Sequence, residues 1–109
     1  MITPVNWETL RPLLAPRDKG SHKGDYGHVL IVGGDEGYGG AALLAGEAAA
    51  RCGAGLTSVA THPVHAAALL ARRPELMVKG IADPAALEPL LARATVLVLG
   101  PGLGQSPWS

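Results

Sequence analysis

Two glycine clusters are the residues of this chain whose type and spacing point to chemistry. The first comprises Gly33, Gly34, Gly37, Gly39 and Gly40, within HVLIVGGDEGYGGA, and the second comprises Gly100, Gly102 and Gly104, within GPGLG. Glycine lets a backbone take positive φ and come close to a ligand. Placed just before a helix, such a turn also meets unpaired N–H groups and the positive end of the helix dipole. The chemistry expected is backbone capture of an anion or polar ligand. Read from Gly34, the first cluster does not have the spacing of a named phosphate loop. GxGxxG read from Gly34 requires glycine at position 36, which is Glu36, and GxxxxGK[ST] requires a lysine where none occurs between Lys23 and Lys79. Taken singly, either cluster reads equally well as a tight turn of any α/β protein.

The side chains that could act as acids, bases or ligands form no constellation in the sequence. Asp25, Asp35 and Glu36 are the acids nearest the first turn, and no base is paired with them. His62 and His65 flank Pro63 without a cysteine or carboxylate at a spacing that completes a metal site, so they read as surface or helix-start residues and no metal site is assigned. GxSxG, HExxH and CxxC are absent. No catalytic residue is assigned. Arg17, Lys19, His22 and Lys23 crowd the loop Arg17 to Gly27, which reads as a solvated loop with phosphate contact as the alternative.

The elements that must position these turns follow from apolar patterning. Val29 to Val32 is an apolar run too short for a helix, rich in β-branched residues and closed by Gly33 and Gly34, as expected of a strand buried on both faces. Gly39 to Arg51 lacks proline and places Leu43, Leu44 and Ala48 at helical spacing, and Gly53 and Gly55 stand where that helix should end. Leu56 to Ala60 reads as the next strand, which completes a right-handed βαβ unit. Pro63 to Arg73 predicts a helix with proline in its first turn, and Leu76 to Ile81 a short strand. Asp83 caps a further helix over Pro84 to Arg93, kinked at Pro89, and Ala94 to Leu99 is a buried strand ending in the second glycine cluster. Met1 to Pro16 carries three prolines around Trp7, Leu10, Leu13 and Leu14 and predicts a lead-in helix packed on the surface. The order predicts an α/β fold, a mostly parallel sheet with helices on both faces and ligands at the carboxyl ends of its strands. Neighbouring parallel strands would bring both glycine turns to one crevice, which makes the pair a stronger signal than either alone.

Composition narrows the function classes. The 109 residues suffice for one domain with a core, 48 % of them being hydrophobic. Nine basic residues balance nine acidic ones, and there are only two tyrosines, two tryptophans and no phenylalanine. That composition has neither the basic footprint nor the stacking aromatics of a nucleic-acid binder. The lone Cys52 reads as a small buried side chain and suits a reducing cytoplasm. No apolar run approaches the roughly 20 residues of a membrane span, and Met1 to Leu10 lacks a signal-peptide core, so a soluble cytoplasmic protein without a membrane partner is expected.

Lys23-Gly24, HVLIVGG, GYGGA, GEAAARCGAGLTSVAT, RPELMV and LGPGLGQ resemble, in order and spacing, the first half of the ADP/ATP-dependent NAD(P)H-hydrate dehydratases, members of the ribokinase-like (carbohydrate-kinase-like) superfamily. The resemblance spans roughly Lys19 to Trp108, which makes 19–109 the N-terminal part of such a domain, whereas the lead-in helix segment 1–18 carries no motif. It implies nicotinamide nucleotide repair: ATP or ADP, with Mg2+, phosphorylates the added hydroxyl of NADHX or NADPHX, and loss of phosphate restores the double bond. It further implies that Gly33, Gly34, Gly40, Ala41, Gly100, Gly102 and Gly104 belong to the substrate site, with Lys23 and Tyr38 as further candidates. No counterpart of the family's HPGE-like segment, nucleotide-binding region or NxxGxGD-type loop precedes Ser109. The expectation is therefore a truncated domain whose catalytic aspartate lies beyond Ser109, inactive by itself. A homo-oligomer, and an NAD(P)HX epimerase fused or separate, are implied partners. A ribokinase-like kinase of a thiazole alcohol or sugar, and a non-catalytic nucleotide-binding module, are the competing readings.

Overall fold

The computed structural model describes all 109 residues. Four parallel strands, β1 (His28–Val32), β2 (Leu56–Thr61), β3 (Met77–Gly80) and β4 (Val96–Leu99), form one sheet in the order β3-β2-β1-β4. Register is continuous across it, with Leu30 beside Ser58 and Leu97, and Val59 beside Val78.

Strand order dictates the layering. The chain steps from β1 to β2 to β3 in one direction, then returns across the sheet to place β4 on the far side of β1. Right-handed crossovers running in opposite directions put their helices on opposite faces. Accordingly α2 (Gly39–Arg51) and α3 (Ala66–Arg72) cover one face, where Ile31, Ala42, Val59, Leu69 and Leu76 form a core. On the other face Leu30, Val32, Ala60 and Ile81 pack against Leu87 and Leu90, around a turn of 3-10 helix (Pro84–Leu87) that runs into α4 (Glu88–Arg93). Leu30, Ile31 and Val59 are essentially without exposure, and each such side chain contributes roughly 1.5–3 kcal/mol of burial.

Local chemistry explains the elements. α2 is built from small residues, and at Gly46 a methyl would stand 3.0 Å from Val59 Cγ2, so the missing side chain lets the helix lie close on β2. The helix stops at Cys52 because Gly53 takes φ +102°, while the Gly53 and Ala54 N–H groups turn back onto the carbonyls of Ala50 and Ala49. Asp83 caps the 3-10 turn through the Ala85 N–H at 2.9 Å. Pro89 sits within the first turn of α4, so it starts that helix instead of kinking a longer one. His28, at the start of β1, is a satisfied core histidine whose Nε2 lies 2.6 Å from Ser58 Oγ.

Three further expectations are corrected. The strand expected to be buried over Ala94 to Leu99 is β4, an exposed edge: Val96, Leu97 and Leu99 are each about half exposed or more, because it lies at the end of the sheet with no strand on its far side. The lead-in segment forms only α1 (Trp7–Leu10) and a 3-10 turn (Arg11–Leu14), and every residue from 1 to 20 is exposed, including Trp7, Leu13 and Leu14. The prolines limit α1 to one turn, too short to lay an apolar face on the sheet. The segment joins the domain at Arg17, whose guanidinium stacks over the Tyr26 ring and donates to the Gly53 carbonyl. Cys52 is exposed at the end of α2.

Candidate functional site

The reversal of strand order lies between β1 and β4, and the carboxyl ends of that pair form the crevice where open α/β sheets hold ligands. Both glycine turns are there. Val32 runs into Gly33, Gly34 and Asp35 on one side, and Leu99 into Gly100 to Gly104 on the other. The two loops are bonded directly to each other: the Gly100 N–H donates to the Val32 carbonyl (3.0 Å), Gly34 N–H to Pro101 (2.9 Å) and Asp35 N–H to Gly102 (2.9 Å).

These bonds divide the glycines by role. Gly33 lies beneath Pro101, whose carbonyl oxygen a Cβ would overlap. Gly34, at φ +76°, packs against Thr61 and Ala42, and its carbonyl accepts from the Thr61 hydroxyl at 2.8 Å. Gly102 rests on the Tyr38 carbonyl and Ala41. In these three the missing side chain admits a neighbouring chain segment. Gly40 is different: it is exposed in the first turn of α2, and a Cβ there meets nothing within 4 Å. Tyr38, the residue before α2, supplies no side-chain cap; the Ala41 N–H donates to the Tyr38 carbonyl at 3.2 Å, which leaves the Gly39 and Gly40 N–H groups of this 13-residue helix without an intrahelical partner beside the crevice. Gly104, at φ +68°, passes over this helix start, its Cβ direction pointing at Asp35 Oδ2 (3.3 Å) and the Tyr38 ring (3.6 Å).

Tyr38, Gly40, Ala41, Gly100, Gly102 and Gly104 thus meet Gly33 and Gly34 at one place. Lys23 does not join them. It begins the 3-10 turn Lys23–Tyr26 ahead of β1, so the length of a five-residue strand, about 16 Å, separates it from the glycine turns. The neighbouring charges are committed locally as well: His22 Nδ1 accepts from the Gly24 N–H at 3.2 Å, and its ring faces Asp25.

Asp35 lies at this meeting point, although sequence reasoning left it without a partner. Its residue is 4 % exposed. Oδ2 accepts from the Ser106 hydroxyl and Oδ1 from the Glu36 N–H at 2.8 Å, while its carbonyl accepts from the Tyr38 N–H at 2.8 Å and faces His65 Nε2 at 2.9 Å. The Ser106 hydroxyl holds the carboxyl below the usual carboxylate range against the opposing effect of burial, aided by the Glu36 N–H and the charge of His62 and His65. His62, Gln105 and Trp108 complete a polar cleft of about 570 Å3 over Asp35 and Tyr38. Trp108 forms its far wall, held by an Nε1–H bond to the Ile81 carbonyl at 2.8 Å and by contact with the His62 ring. On its other side lies an apolar cavity of about 260 Å3, lined by Val32, Ile81, Leu99 and Leu103. No three His, Cys, Asp or Glu side chains come together as a metal-binding set. The only advance signals for the Asp35 group were an acid inside a glycine turn and histidines at a helix start; neither names Ser106.

A parallel sheet with two interlocked glycine loops at its switch point defines an α/β domain, and its solved neighbours make that fold ribokinase-like. The solved ribokinase-like superfamily protein of Enterococcus faecalis matches it with a TM-score of 0.85 at 36 % identity, over 95 % of this chain and 37 % of that one. The family model for NAD(P)H-hydrate dehydratase matches residues 29–109, and the chain belongs to that family. It is 53 % identical over 105 residues to the bifunctional NAD(P)H-hydrate repair enzyme Nnr of Coxiella burnetii, which covers 96 % of this chain and 22 % of that protein. The ADP/ATP-dependent NAD(P)H-hydrate dehydratase of Bacillus subtilis, co-crystallised with ATP/Mg2+, matches with a TM-score of 0.72 and 32 % identity, over 93 % of this chain and 37 % of that one. The chain therefore spans between about a fifth and two fifths of these relatives' lengths.

Proposed function

We propose that these residues form the substrate-binding part of an ADP/ATP-dependent NAD(P)H-hydrate dehydratase, and that NADHX or NADPHX occupies the crevice between the start of α2 and the Gly100–Gly104 loop. The observation that carries this reading is the meeting of Tyr38, Gly40, Ala41 and Gly104 around a helix start with no side-chain cap. A dinucleotide brings an anionic pyrophosphate, for which free helix N–H groups are suited donors, and planar rings, for which the cleft beside Tyr38 and Trp108 has room. Gly33, Gly34 and Gly102 serve the site by letting its two walls interlock. Lys23 serves no part of it.

The residues present do not fit Mg2+. No metal-binding set exists among them, and the one buried carboxylate, Asp35, has both oxygens engaged. Phosphoryl transfer needs a base and charge-stabilising donors aimed at the transferring group. In this reading those groups, with the nucleotide site, are not among residues 1–109. A homo-oligomer and a fused or separate NAD(P)HX epimerase complete the proposal, as does a cytoplasmic setting; no helix of the chain is long and apolar enough to cross a membrane.

The test is calorimetric titration of NADPHX into the complete protein and its Gly40→Val and Ala41→Arg variants. Gly40 faces open space, so added bulk there occupies the volume of the ligand and not that of the protein. Weakened binding is expected in both variants, with an unchanged unfolding curve for Gly40→Val; Ala41 lies against Gly102, so Ala41→Arg also displaces that loop. Unchanged affinity in folded variants would remove the α2 start from the site.

A further inference from the structure

The Gly100–Gly104 loop is tied to the first glycine turn by backbone bonds as far as Gly102. The Leu103 N–H then turns back onto the Gly100 carbonyl at 2.9 Å within the loop, and the next attachment to the first turn is the Ser106 hydroxyl on Asp35, joining residues 71 apart in the chain. Gly104 lies between these two anchors, directly above Asp35 Oδ2 and the Tyr38 ring. Asp35 provides both anchors: its N–H donates to Gly102 and its carboxylate accepts from Ser106. Asp35 is itself immobilised, since its carbonyl accepts the Tyr38 N–H and faces His65, while its second carboxylate oxygen takes the Glu36 N–H. Ser106 is equally engaged, its Oγ accepting from the Trp108 N–H at 3.2 Å. A chain of polar contacts therefore runs from the α2 start, through Asp35 and Ser106, to the aromatic wall at Trp108.

We propose that Asp35 and Ser106 are positioning residues for the ligand crevice: the carboxylate–hydroxyl clasp holds Gly104 above the start of α2 at the separation that NAD(P)HX requires. The inference rests on the reading of this crevice as the NAD(P)HX site. The clasp touches no reacting atom and acts through loop geometry alone. An ionised carboxylate suits the task because its two oxygens accept from two donors at once, and a charge-assisted bond to a hydroxyl is stronger than a neutral one. Without it, Gly104 is held only by the anchor at Gly102 before it and by the Trp108 bond to the Ile81 carbonyl four residues after it, and the ligand meets a looser loop that it must itself order, which weakens binding without altering the chemical step.

The experiment uses Ser106→Ala, Ser106→Thr and Asp35→Ala in the complete protein, with two readouts. Amide hydrogen exchange without ligand follows Gly34, Asp35 and Leu103 against the core amides of Ile31 and Val59. Steady-state turnover of NADPHX follows KM and kcat separately. Ser106→Ala is expected to speed exchange at the loop amides about fivefold with the core unchanged, the effect of one lost hydrogen bond, and to raise KM several-fold at constant kcat. Ser106→Thr, which keeps the hydroxyl, restores both. Unchanged loop exchange in Ser106→Ala overturns the clasp, and faster exchange with unaltered KM overturns its role in binding. Ser106 is exposed, so the serine variants decide the matter even if Asp35→Ala fails to fold. Failure of the underlying functional reading is recognised separately, as absence of NADPHX binding by the wild-type protein; it would also remove the site that the clasp is held to serve.

Discussion

The carbonyl oxygen of Pro101 lies against Gly33 so closely that a single methyl group on Gly33 would overlap it. That contact, with the bond from the Gly34 N–H to the same oxygen, makes the two glycine turns one structural unit. It also separates glycines that shape the crevice from glycines that leave it open.

A comparison of Gly33→Ala with Gly40→Ala tests that separation. Gly33→Ala must push Pro101 away, an overpacking cost of about 1–3 kcal/mol. Gly40→Ala adds a methyl in open space within a helix, where alanine is favoured by roughly 0.5–1 kcal/mol. Urea unfolding should show a lower midpoint for the first variant and an equal or higher one for the second. Equal losses in both would mean that the loops are not interlocked as described.

Acid should weaken the Asp35 contacts. The Ser106 hydroxyl foremost, with the Glu36 N–H and the charge of His62 and His65, lowers the native carboxyl pKa against the effect of burial. A carboxyl depressed in the native state contributes stability that is complete above its unfolded pKa and is lost as pH falls through the native one. The loss should therefore begin below about pH 4, the ordinary range for aspartate. Unfolding midpoints measured on either side of that pH should fall more in the wild type than in Asp35→Asn. Parallel falls would assign the acid sensitivity elsewhere, Glu47 being the other lowered carboxyl.

Glu47 ties α2 to the end of α3. Its Oε1 stands 2.6 Å from Arg73 Nε and 3.5 Å from Arg72 Nε, and the Arg73 hydrogen bond is the main reason its carboxyl is held down. Glu75 meets Arg73 only at 3.7 Å and is half exposed. Thermal unfolding should therefore show a larger drop in Tm for Glu47→Gln than for Glu75→Gln, and the gap should narrow at high salt. Equal effects would show the inter-helix pair to be no better than a surface one.

β4 presents an open strand edge with Val96, Leu97 and Leu99 each about half exposed or more. Unpaired edges of this kind pair with other chains. The 109-residue chain by itself should associate in a concentration-dependent way in light scattering, and Leu97→Lys with Leu99→Lys should reduce that by severalfold, since edge lysines oppose pairing. A monodisperse wild-type monomer would indicate that this edge is not adhesive.

The sequence alone determined the parts whose signals are local. β1, α2 and β2 follow from a β-branched run, an alanine-rich helix and Gly53, and the structure places them within a residue of expectation. The α/β class, the parallel sheet and the siting of both glycine turns at strand ends follow from element order, because right-handed crossovers leave few alternatives. Only the tertiary structure decided the order β3-β2-β1-β4, which puts β4 rather than β3 beside β1 and so creates the crevice. It alone paired Asp35 with Ser106 and set Pro101 on Gly33, separated Lys23 from the site, and left Trp7, Leu13 and Leu14 uncovered. The physical reason is range. Turn and helix preferences act over a few residues and are written in them, whereas a hydroxyl on a carboxylate 71 positions away depends on which strands become neighbours, and that is settled by burying both faces of the sheet at once.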